Sequence, residues 1–262
     1  MTRLEPEGWD VVGIRAANPG PLTLSGTNSW VVGHNPAWLI DPGPALAEHL
    51  EELDQEIARR GGLGGIALTH DHVDHTEAVP AVRERHPSAT LAAARGPVDV
   101  RLANGDSFGP LSALATPGHA PDHMTYLWRE VALTGDAVLG EGSVFISPDP
   151  GALRGYLDGL SALRRRSPAL ILPGHGPIVN DPAARLDQYI SHRLERERRL
   201  IDALVDGKRT ARELLDQVWS DVPPALRPPA ALTLAAHLDK LEEEGRLPDG
   251  VQRPSVRGWP AR

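Results

Sequence analysis

Histidine and aspartate are concentrated in residues 69–75, where three histidines and two aspartates follow a short apolar run. Imidazoles two residues apart point to the same side of an extended chain, so His70 and His72 can bind one metal ion. Asp74 and His75 come after a turn and can contribute to a second ion nearby. Imidazole nitrogen and carboxylate oxygen suit Zn²⁺, with Mn²⁺ or Fe as alternatives. This stretch predicts a metal site with places for two ions.

Three further candidate ligands stand elsewhere in the chain, each beside a glycine. His119 lies in a Pro-Gly-His motif, Asp136 in Thr-Gly-Asp and His175 in Pro-Gly-His-Gly. A carboxylate between two cations reduces their mutual repulsion, and Asp136 is the candidate for this bridge. His119 would complete the first site and His175 the second. Two cations would lower the pKa of a shared water towards neutrality, which provides a nucleophile for hydrolysis.

Composition and charge limit the classes of protein to which the chain can belong. It has 262 residues, 40% of them hydrophobic, and no cysteine, which excludes disulfides and thiolate metal sites. The net charge of −8 is unfavourable for a general polyanion binder. No apolar signal segment opens the chain, and no apolar run approaches the ~20 residues of a membrane span. We therefore expect a cytoplasmic protein with no membrane partner.

The candidate ligands fall at the ends of predicted strands or in the loops just after them. The strands closest to them are predicted at 65–69, 111–116, 131–134 and 169–172. Loops mounted on a sheet edge can direct side chains into a common site. Further strands are predicted at 9–15, 29–33, 37–41, 89–94 and 124–129, and helices at 45–60, 76–86 and 150–166. The pattern predicts an α/β sandwich of two sheets with helices outside.

The character of the chain changes at about residue 181. Asp181 and Pro182 are typical of an N-cap and a first helical turn, and Thr210 with Glu213 forms a capping box. The predicted elements are a helix at 182–205, a helix opened by the capping box, a helix at 230–244 and a short strand at 246–248. This order resembles a winged-helix unit. We predict a catalytic domain at 1–180 and a winged-helix-like C-terminal domain at 181–262.

The chain resembles the metallo-β-lactamase superfamily in four motifs, which are Thr-His-Asp-His-Val-Asp-His (69–75), Pro-Gly-His (117–119), Thr-Gly-Asp (134–136) and Pro-Gly-His-Gly (173–176). The resemblance implies an αββα sandwich with two metal ions, usually zinc. It implies one ion held by His70, His72 and His119, and a second held by Asp74, His75 and His175. Asp136 would bridge the two ions.

Four residues are candidates for roles beside metal binding. Asp41 matches a superfamily position at which a carboxylate orients a ligand imidazole, although an aspartate before proline also forms turns. Asn28 resembles a loop position close to the site, and turn formation explains it nearly as well. His123 would support the site from behind or face the substrate. Asp74 can hold the nucleophilic water and pass a proton to the leaving group.

The remaining histidines and one aspartate are interpreted as ordinary surface or core residues. A histidine outside a motif has this role more often than a ligand role. Asp71 is expected to be solvated. The five histidines are His34, His49, His86, His192 and His237.

Within the superfamily, the chain resembles the β-lactamase-like protein 2 group. The segments that carry this resemblance are 26–28, 140–142, 188–193 and 237–245. In that group a small winged-helix-like domain lies beside the active site. Animal members are endoribonucleases on single-stranded RNA, and fungal relatives include thioesterases of polyketide synthesis. The resemblance therefore implies a hydrolase and leaves its substrate open.

We predict a binuclear metal-dependent hydrolase that uses a metal-bridging hydroxide. The first alternative is a phosphodiesterase or endoribonuclease on single-stranded RNA, in which the two ions would hold the scissile phosphate. The tail contains four arginines that support RNA, but they alternate with Glu195 and Glu197, which is typical of a solvated helix face. They are Arg193, Arg196, Arg198 and Arg199.

Two other functions stay open. The second alternative is a thioesterase or another ester or lactone hydrolase of the same fold. The third is a non-enzymatic DNA-binding regulator, which the complete ligand set and the acidic helix at 234–244 disfavour. The expected partners are a small ester or thioester, or single-stranded RNA, with a homodimer as a further alternative.

Overall fold

Two β-sheets form the centre of the computed structural model, which describes residues 2–255. The first sheet has seven strands that lie side by side in chain order. They are β1 (Thr2–Leu4), β2 (Val11–Arg15), β3 (Asn28–Val32), β4 (Ala37–Ile40), β5 (Leu63–Ala67), β6 (Thr90–Ala93) and β7 (Val100–Arg101). Strands β1 to β4 pair antiparallel, whereas β4 to β7 pair parallel.

The second sheet has five strands and lies opposite the first. The strands are β8 (Ser107–Phe108), β9 (Leu111–Ala115), β10 (Met124–Trp128), β11 (Val131–Gly135) and β12 (Leu170–Pro173). Strands β8 to β11 pair antiparallel with their neighbours, and β12 pairs parallel with β11 at the sheet edge. The loops that follow β5, β9, β11 and β12 carry the candidate ligands.

Alternate side chains of the strands enter different apolar cores. Trp30 and Val32 of β3 lie in the core between the sheets, together with Tyr126 of β10. Val31, between them in the chain, lies in the core outside the first sheet. Successive side chains of a strand point to opposite faces, so a strand buried on both faces separates two cores.

Helices cover the outer faces of both sheets. The helices of this part of the chain are α1 (Ala47–Arg59), α2 (Val73–Thr76), α3 (Val79–Arg85) and α4 (Ala152–Arg166). Leu53 of α1 and Val82 of α3 pack on the first sheet, and Leu160 and Leu163 of α4 pack on the second. The order helix, sheet, sheet, helix confirms the predicted αββα fold class.

The helix predicted at 76–86 is interrupted. The chain forms α2 and α3 instead, with Pro80 in the first turn of α3. Proline has no N–H to donate back into a preceding turn, so a continuous helix through this position is unfavourable. Strands β1, β7 and β8 were not predicted, because two or three residues are too short to show a periodic pattern.

The C-terminal part contains α5 (Pro182–Val205), α6 (Ala211–Val218), a short 3₁₀ turn (Pro224–Leu226) and α7 (Arg227–Glu243). Helix α7 begins before the predicted residue 230, since Pro228 and Pro229 lie in its first turn, where N–H groups need no helical partner. The strand predicted at 246–248 was wrong, because these residues are irregular. Pro248 has no N–H to donate to a neighbouring strand. The backbone hydrogen bond in this region comes from Gln252 N, which donates to Arg209 O at 2.7 Å.

Helix α5 belongs to two cores. Its first half contributes Leu186 and Tyr189 to the core around α4. Its second half contributes Leu200 and Leu204 to a separate core with α6 and α7. The proposed boundary at 180/181 therefore falls before a helix that both parts share. Residues 256–262 of the predicted C-terminal domain lie outside the described residues. Among those described, no helix combines the length and apolar character required to cross a membrane.

Candidate metal centre

The loop after β5 carries the first ligands and is attached to the end of β4. Asp41 follows β4, and its two carboxylate oxygens accept hydrogen bonds from Thr69 N at 2.7 Å and Thr69 Oγ1 at 2.6 Å. Asp41 is 2% exposed, so these bonds are protected from water. Parallel pairing of β4 with β5 brings the two strand ends to the same edge of the sheet. The carboxylate of Asp41 thereby fixes the start of the ligand loop.

A change of backbone conformation separates the ligands of this loop into two directions. His72 is extended, with φ −63° and ψ 141°, and acts as the N-cap of helix α2. Asp74 and His75 lie within that helix, so their side chains turn away from those of His70 and His72. The motif therefore serves two neighbouring groups of donor atoms.

The first group brings together His70, His72, His119 and Asp136. His72 Nδ1 lies 2.9 Å from His70 Nε2 and 3.0 Å from His119 Nε2. Asp136 Oδ2 lies 3.4 Å from His119 Nε2. His70 and His119 are almost fully buried, at 1% and 3% exposed.

The second group brings together Asp74, His75 and His175. His175 Nε2 lies 3.3 Å from His75 Nε2 and 3.2 Å from Asp74 Oδ2. The other oxygen of Asp136, Oδ1, lies 3.5 Å from His75 Nε2 and 3.4 Å from His175 Nε2. Asp136 thus presents one oxygen to each group, which is the position expected of a bridging ligand.

Hydrogen bonds behind the rings of His70 and His75 orient them. His75 Nδ1 donates to Asp41 Oδ2 at 2.9 Å, the contact expected for Asp41 from the sequence. Thr69 Oγ1 lies 3.0 Å from His70 Nδ1, and it accepts there because its own proton goes to Asp41. Each Nδ1 therefore donates behind the ring, which leaves Nε2 as the atom directed to the interior.

His119 and His175 are oriented in the same way by backbone carbonyls. His119 Nδ1 donates to Phe145 O and His175 Nδ1 donates to Gly26 O, each at 3.3 Å. Their Nε2 atoms face a buried space that also holds Asp136 Oδ1, which has no hydrogen-bond partner. Nitrogen atoms and carboxylate oxygens this close need positive charge between them, which a proton or a metal cation supplies. The donor set therefore fits a divalent cation in each group.

Burial and charge set the protonation of the ligands. Burial lowers the pKa of His119 to about 3 and holds that of His70 well below its usual value, so both rings are neutral and able to coordinate. Burial acts against ionisation of Asp74, but His75 and His175 outweigh it and lower its pKa to about 2. Burial also lowers the pKa of His175, but Asp136 and Asp74 raise it to about 9. The carboxylates thus attract positive charge into the second group.

The loop that carries His175 is fixed by the first sheet. Asn28 Nδ2 donates to Pro173 O and Gly176 O, both at 3.0 Å, and Asn28 N donates to Gly174 O at 2.7 Å. Arg15, opposite Asn28 in the sheet, donates to Gly176 O at 2.7 Å and to Asn28 Oδ1 at 2.9 Å. A Cβ on Gly174 would lie 2.6 Å from Asp136 Oδ1, so only glycine permits this approach. Asn28 therefore positions a ligand loop.

His123 lies behind the ligands and not in the cleft. Its ring stacks on that of His70, with centroids 4.9 Å apart and an angle of 29° between the planes. Its Nε2 accepts a hydrogen bond from Asp136 N at 3.1 Å, and its Nδ1 donates to Thr116 Oγ1 at 3.0 Å. Of the two roles considered from the sequence, its position corresponds to support of Asp136 and His70 from behind.

The histidines interpreted as ordinary residues lie in three kinds of position. His34 and His86 pair with Asp10 and Asp54 at the surface. The others are fully buried (His49, His237) or lie in the wall of the cleft (His192). Sequence reasoning did not place His192 in a cleft. Gln188 also lines the cleft, and it lies one helical turn from His192 on the same face of α5.

A large cleft opens over the metal centre. Its volume is about 1380 Å³, above the ~300–1,000 Å³ typical of small-molecule sites. It is lined by Asp74, His72 and His119 of the metal centre and by Trp219 and Val222 of the C-terminal part. The rest of the wall is largely apolar and includes Leu22, Leu24, Leu46, Val73, Phe145 and Leu226. Asp71, expected to be solvated, also lies on this wall and is exposed.

Comparison with known proteins identifies the family of the chain. A family model described as a beta-lactamase superfamily domain matches residues 37–146, and one described as a beta-lactamase associated winged helix domain matches residues 210–251. A Drosophila melanogaster protein named beta-lactamase-like protein 2 homolog is 30% identical over 90% of this chain and 89% of its own length. The chain belongs to the metallo-β-lactamase superfamily. The winged-helix match agrees with the helices predicted after residue 181.

Other members of the superfamily match over similar lengths. An Aspergillus chevalieri protein named atrochrysone carboxyl ACP thioesterase is 32% identical, over 81% of this chain and 74% of its own length. A crystal structure of a beta-lactamase domain protein from Burkholderia ambifaria superposes with a TM-score of 0.79 at 21% identity. That superposition covers 95% of this chain and 91% of the other, so the two proteins share the fold from end to end.

Proposed function

We propose that the protein hydrolyses acyl thioesters or esters with the aid of two divalent metal ions, zinc in the first instance. The charge of the cleft is the observation that favours this substrate class. Seven carboxylate side chains but only three arginines line it. Two divalent cations would balance this excess of negative charge without reversing it. A neutral acyl substrate meets no electrostatic barrier in such a cleft. A polyanion would gain little electrostatic attraction there.

Two of the three arginines of the cleft, Arg193 and Arg196, are engaged within the protein. Arg193 Nη2 donates to Ser143 Oγ at 2.8 Å and to Val144 O at 2.5 Å. Arg196 forms a bidentate pair with Asp221, at 2.7 and 2.6 Å. Arginines with these partners offer few free donors to a phosphate. The third, Arg95, is exposed. One exposed arginine does not make the cationic track on which backbone contacts to nucleic acid depend.

The other two tail arginines lie outside the cleft. Arg198 is exposed and pairs with Glu195 and Asp202 on its own helix. Arg199 donates to Gln217 O at 3.0 Å. Arg193, Arg196 and Glu197 are buried, so the prediction of a solvated helix face was wrong for them. The contacts of Arg198 and Arg199 agree with the solvated, paired face that the sequence favoured over an RNA-binding one. They give no support to RNA as the substrate.

The residues of the centre have separable roles in acyl hydrolysis. When bound, two cations supply electrophilic activation of the scissile carbonyl and a nucleophilic water at neutral pH. His70, His75, His119 and His175 hold their Nε2 atoms in fixed positions through the hydrogen bonds behind the rings. The Asp74 side chain is 31% exposed and faces the cleft, while Thr27 Oγ1 lies 3.5 Å from its Oδ2. Asp74 can take the proton of the attacking water and give it to the leaving group.

A substrate panel on the zinc-loaded protein tests the proposal. It should include acyl thioesters, p-nitrophenyl esters, lactones, single-stranded RNA, bis(p-nitrophenyl) phosphate and a chromogenic cephalosporin. We expect metal-dependent turnover of thioesters or esters, and about two ions per chain by elemental analysis. Asp74→Asn should lower kcat by about 10²–10⁴-fold, as expected when a proton-transfer group is lost. Asp54→Asn, which changes a surface aspartate paired with Arg85, is the control.

The results separate the candidate functions. Cleavage of RNA that depends on Asp74, without ester or thioester hydrolysis, would replace the acyl assignment with the phosphodiesterase alternative. Zero or one ion per chain would reject the binuclear centre. The cytoplasmic location and the homodimer stay predictions from the sequence.

A further inference from the structure

A segment without regular secondary structure lies between the metal centre and the C-terminal part. It comprises residues 143–147, which are part of the connection between β11 and α4. Its Phe145 O accepts the hydrogen bond from His119 Nδ1, and the Phe145 ring packs on the His119 ring at 4.5 Å. Ser147 N donates to Gly118 O at 2.7 Å, next to His119 in the chain. The segment therefore contacts His119 both at its ring and through its backbone neighbour.

Two buried residues of the C-terminal helices hold this segment from the other side. Ile146 N donates to Thr233 Oγ1 of α7 at 3.1 Å. Arg193 of α5 donates to Ser143 Oγ and to Val144 O. Thr233 and Arg193 are each 2% exposed, so water does not compete for these bonds. Both contacts join residues far apart in sequence, 87 residues for Thr233 and about 50 for Arg193.

The partners of Thr233 and Arg193 explain why the two side chains hold a fixed geometry. Thr233 Oγ1 also donates to Pro229 O at 3.3 Å, so its hydroxyl has a defined orientation with a lone pair towards Ile146. The Arg193 guanidinium lies over the ring of Tyr156, 5.5 Å from its centroid. A guanidinium held between a ring and two acceptors has little freedom to move.

We propose that Thr233 and Arg193 are positioning residues of the metal centre. They hold the 143–147 segment, and the Phe145 carbonyl of that segment orients the His119 imidazole. Partners that orient a ligand imidazole set metal affinity, so displacement of this carbonyl weakens the site formed by His70, His72 and His119. The winged-helix part is then a structural component of the metal centre as well as a wall of the cleft. This inference rests on the proposed metal centre and on no particular substrate.

Amide hydrogen exchange in the full-length, metal-free protein tests the contact itself. Thr233→Val keeps the shape of the side chain and removes the acceptor of Ile146 N. We expect faster exchange across residues 143–147 in this variant, and exchange close to wild type in Thr233→Ser, which retains the hydroxyl. Thr210→Val is the matched control, because Thr210 caps α6 in the same part of the chain and has its capping partners there, away from the segment. Equal exchange in Thr233→Val and wild type would overturn the proposal.

Metal affinity tests the consequence for the centre. Titration with zinc against a competing chelator should show about 10-fold weaker binding of one ion in Thr233→Val and in Arg193→Met, as is typical for loss of ligand orientation. Arg198→Met, an exposed arginine of the same helix, is the control for Arg193→Met. Circular dichroism of each variant checks that the helices are retained.

The possible outcomes distinguish this proposal from the metal centre on which it rests. Normal zinc affinity in Thr233→Val and Arg193→Met would overturn the positioning role while the centre stands. Loss of affinity in Thr210→Val equal to that in Thr233→Val would also overturn it, because general destabilisation of the winged helix would then be the cause. Absence of zinc binding by the wild-type protein would instead reject the metal centre.

Discussion

Hydrogen bonding behind the metal centre is nearly complete at the level of single residues. His123 uses both ring nitrogens, one for Thr116 and one for the backbone of Asp136. Asp41 uses both oxygens for Thr69 and His75. A ligand set held in this way loses little conformational freedom when a cation binds, since its donor atoms already converge. A substitution that displaces a hydrogen-bond partner of His123 or Asp41 should therefore also displace the ligands that these residues support.

His49 gives a pH-dependent prediction outside the centre. This fully buried ring contacts Pro42 O and Ser29 Oγ through Nε2, and burial lowers its pKa to about 4. The unfolded chain binds a proton on this ring near pH 6.5, whereas the folded chain does not until about pH 4. The folded state therefore loses about 3 kcal/mol of stability as the pH falls between these values.

Urea unfolding of the metal-free protein at pH 7 and pH 4.5 measures this effect. His49→Gln is expected to be less stable than wild type at pH 7, because Gln does not reproduce the contacts of the ring. It should also show a smaller fall in stability between the two pH values, because its side chain does not titrate. An unchanged pH dependence in His49→Gln would contradict the assignment.

The sequence predicted which candidate ligands lie together better than it predicted the contacts of the residues that support them. His70, His72, Asp74 and His75 lie in one local motif, and local motifs are visible in a single chain. Asn28 acts on Pro173 and Gly176, which are 145 and 148 residues away in the chain. Its position close to the site was predicted, but its partners depend on how two sheets stack, which no local pattern encodes.

At the level of elements, His119 lies on a short turn that packs closely against a helix, so substitutions in this turn are poorly tolerated. Gly118, next to His119, has φ +138°. A Cβ at this position would lie 2.4 Å from Tyr156 Cβ and 3.0 Å from Ala152 O, both in α4. The turn that carries His119 is thus fitted against the helix that covers the second sheet.

Gly118→Ala is expected to destabilise the protein by at least about 2 kcal/mol, because backbone strain and a steric clash act together. Gly96→Ala is the matched control, since Gly96 has φ +86° and a methyl group added there would meet no atom within 4 Å. It should cost about 1 kcal/mol from backbone strain alone. Denaturant midpoints measure both, and equal losses would show that contact with α4 is unimportant.

Element boundaries show where local sequence was insufficient. The capping box at Thr210 and Glu213 correctly placed the start of α6, since both halves of the box are formed. The helix predicted at 230–244 was placed after Pro228-Pro229, yet this pair lies in the first turn of α7. Because proline has no N–H, it prevents a preceding helix from continuing and also suits the first turn of a new helix. Tertiary contacts therefore decide whether a proline ends a helix or begins one.

At the level of the whole molecule, α5 links the two apolar cores. Leu186 lies in the core around α4 and Leu204 in the core with α6 and α7, and both are at most 3% exposed. A rigid helix shared in this way couples the unfolding of both parts. The catalytic and winged-helix parts should therefore behave as one cooperative unit.

Leu186→Ala and Leu204→Ala test this coupling. Each should cost about 2–5 kcal/mol, the usual loss for a buried leucine truncated to alanine. Differential scanning calorimetry should show a single transition that both variants shift. Two transitions, of which Leu204→Ala shifts only one, would show that the parts unfold independently.

The shared helix also matters for the construction of chimeras within the superfamily. A junction at residue 181 would exchange Leu186 and Tyr189 together with the winged helix, and so replace part of the packing around α4. A junction within α5, after Tyr189 and before Leu200, would leave each apolar core with its own leucines. Chimeras that exchange the C-terminal part between relatives are therefore expected to fold more often when the crossover lies inside α5 than when it lies in the loop before it.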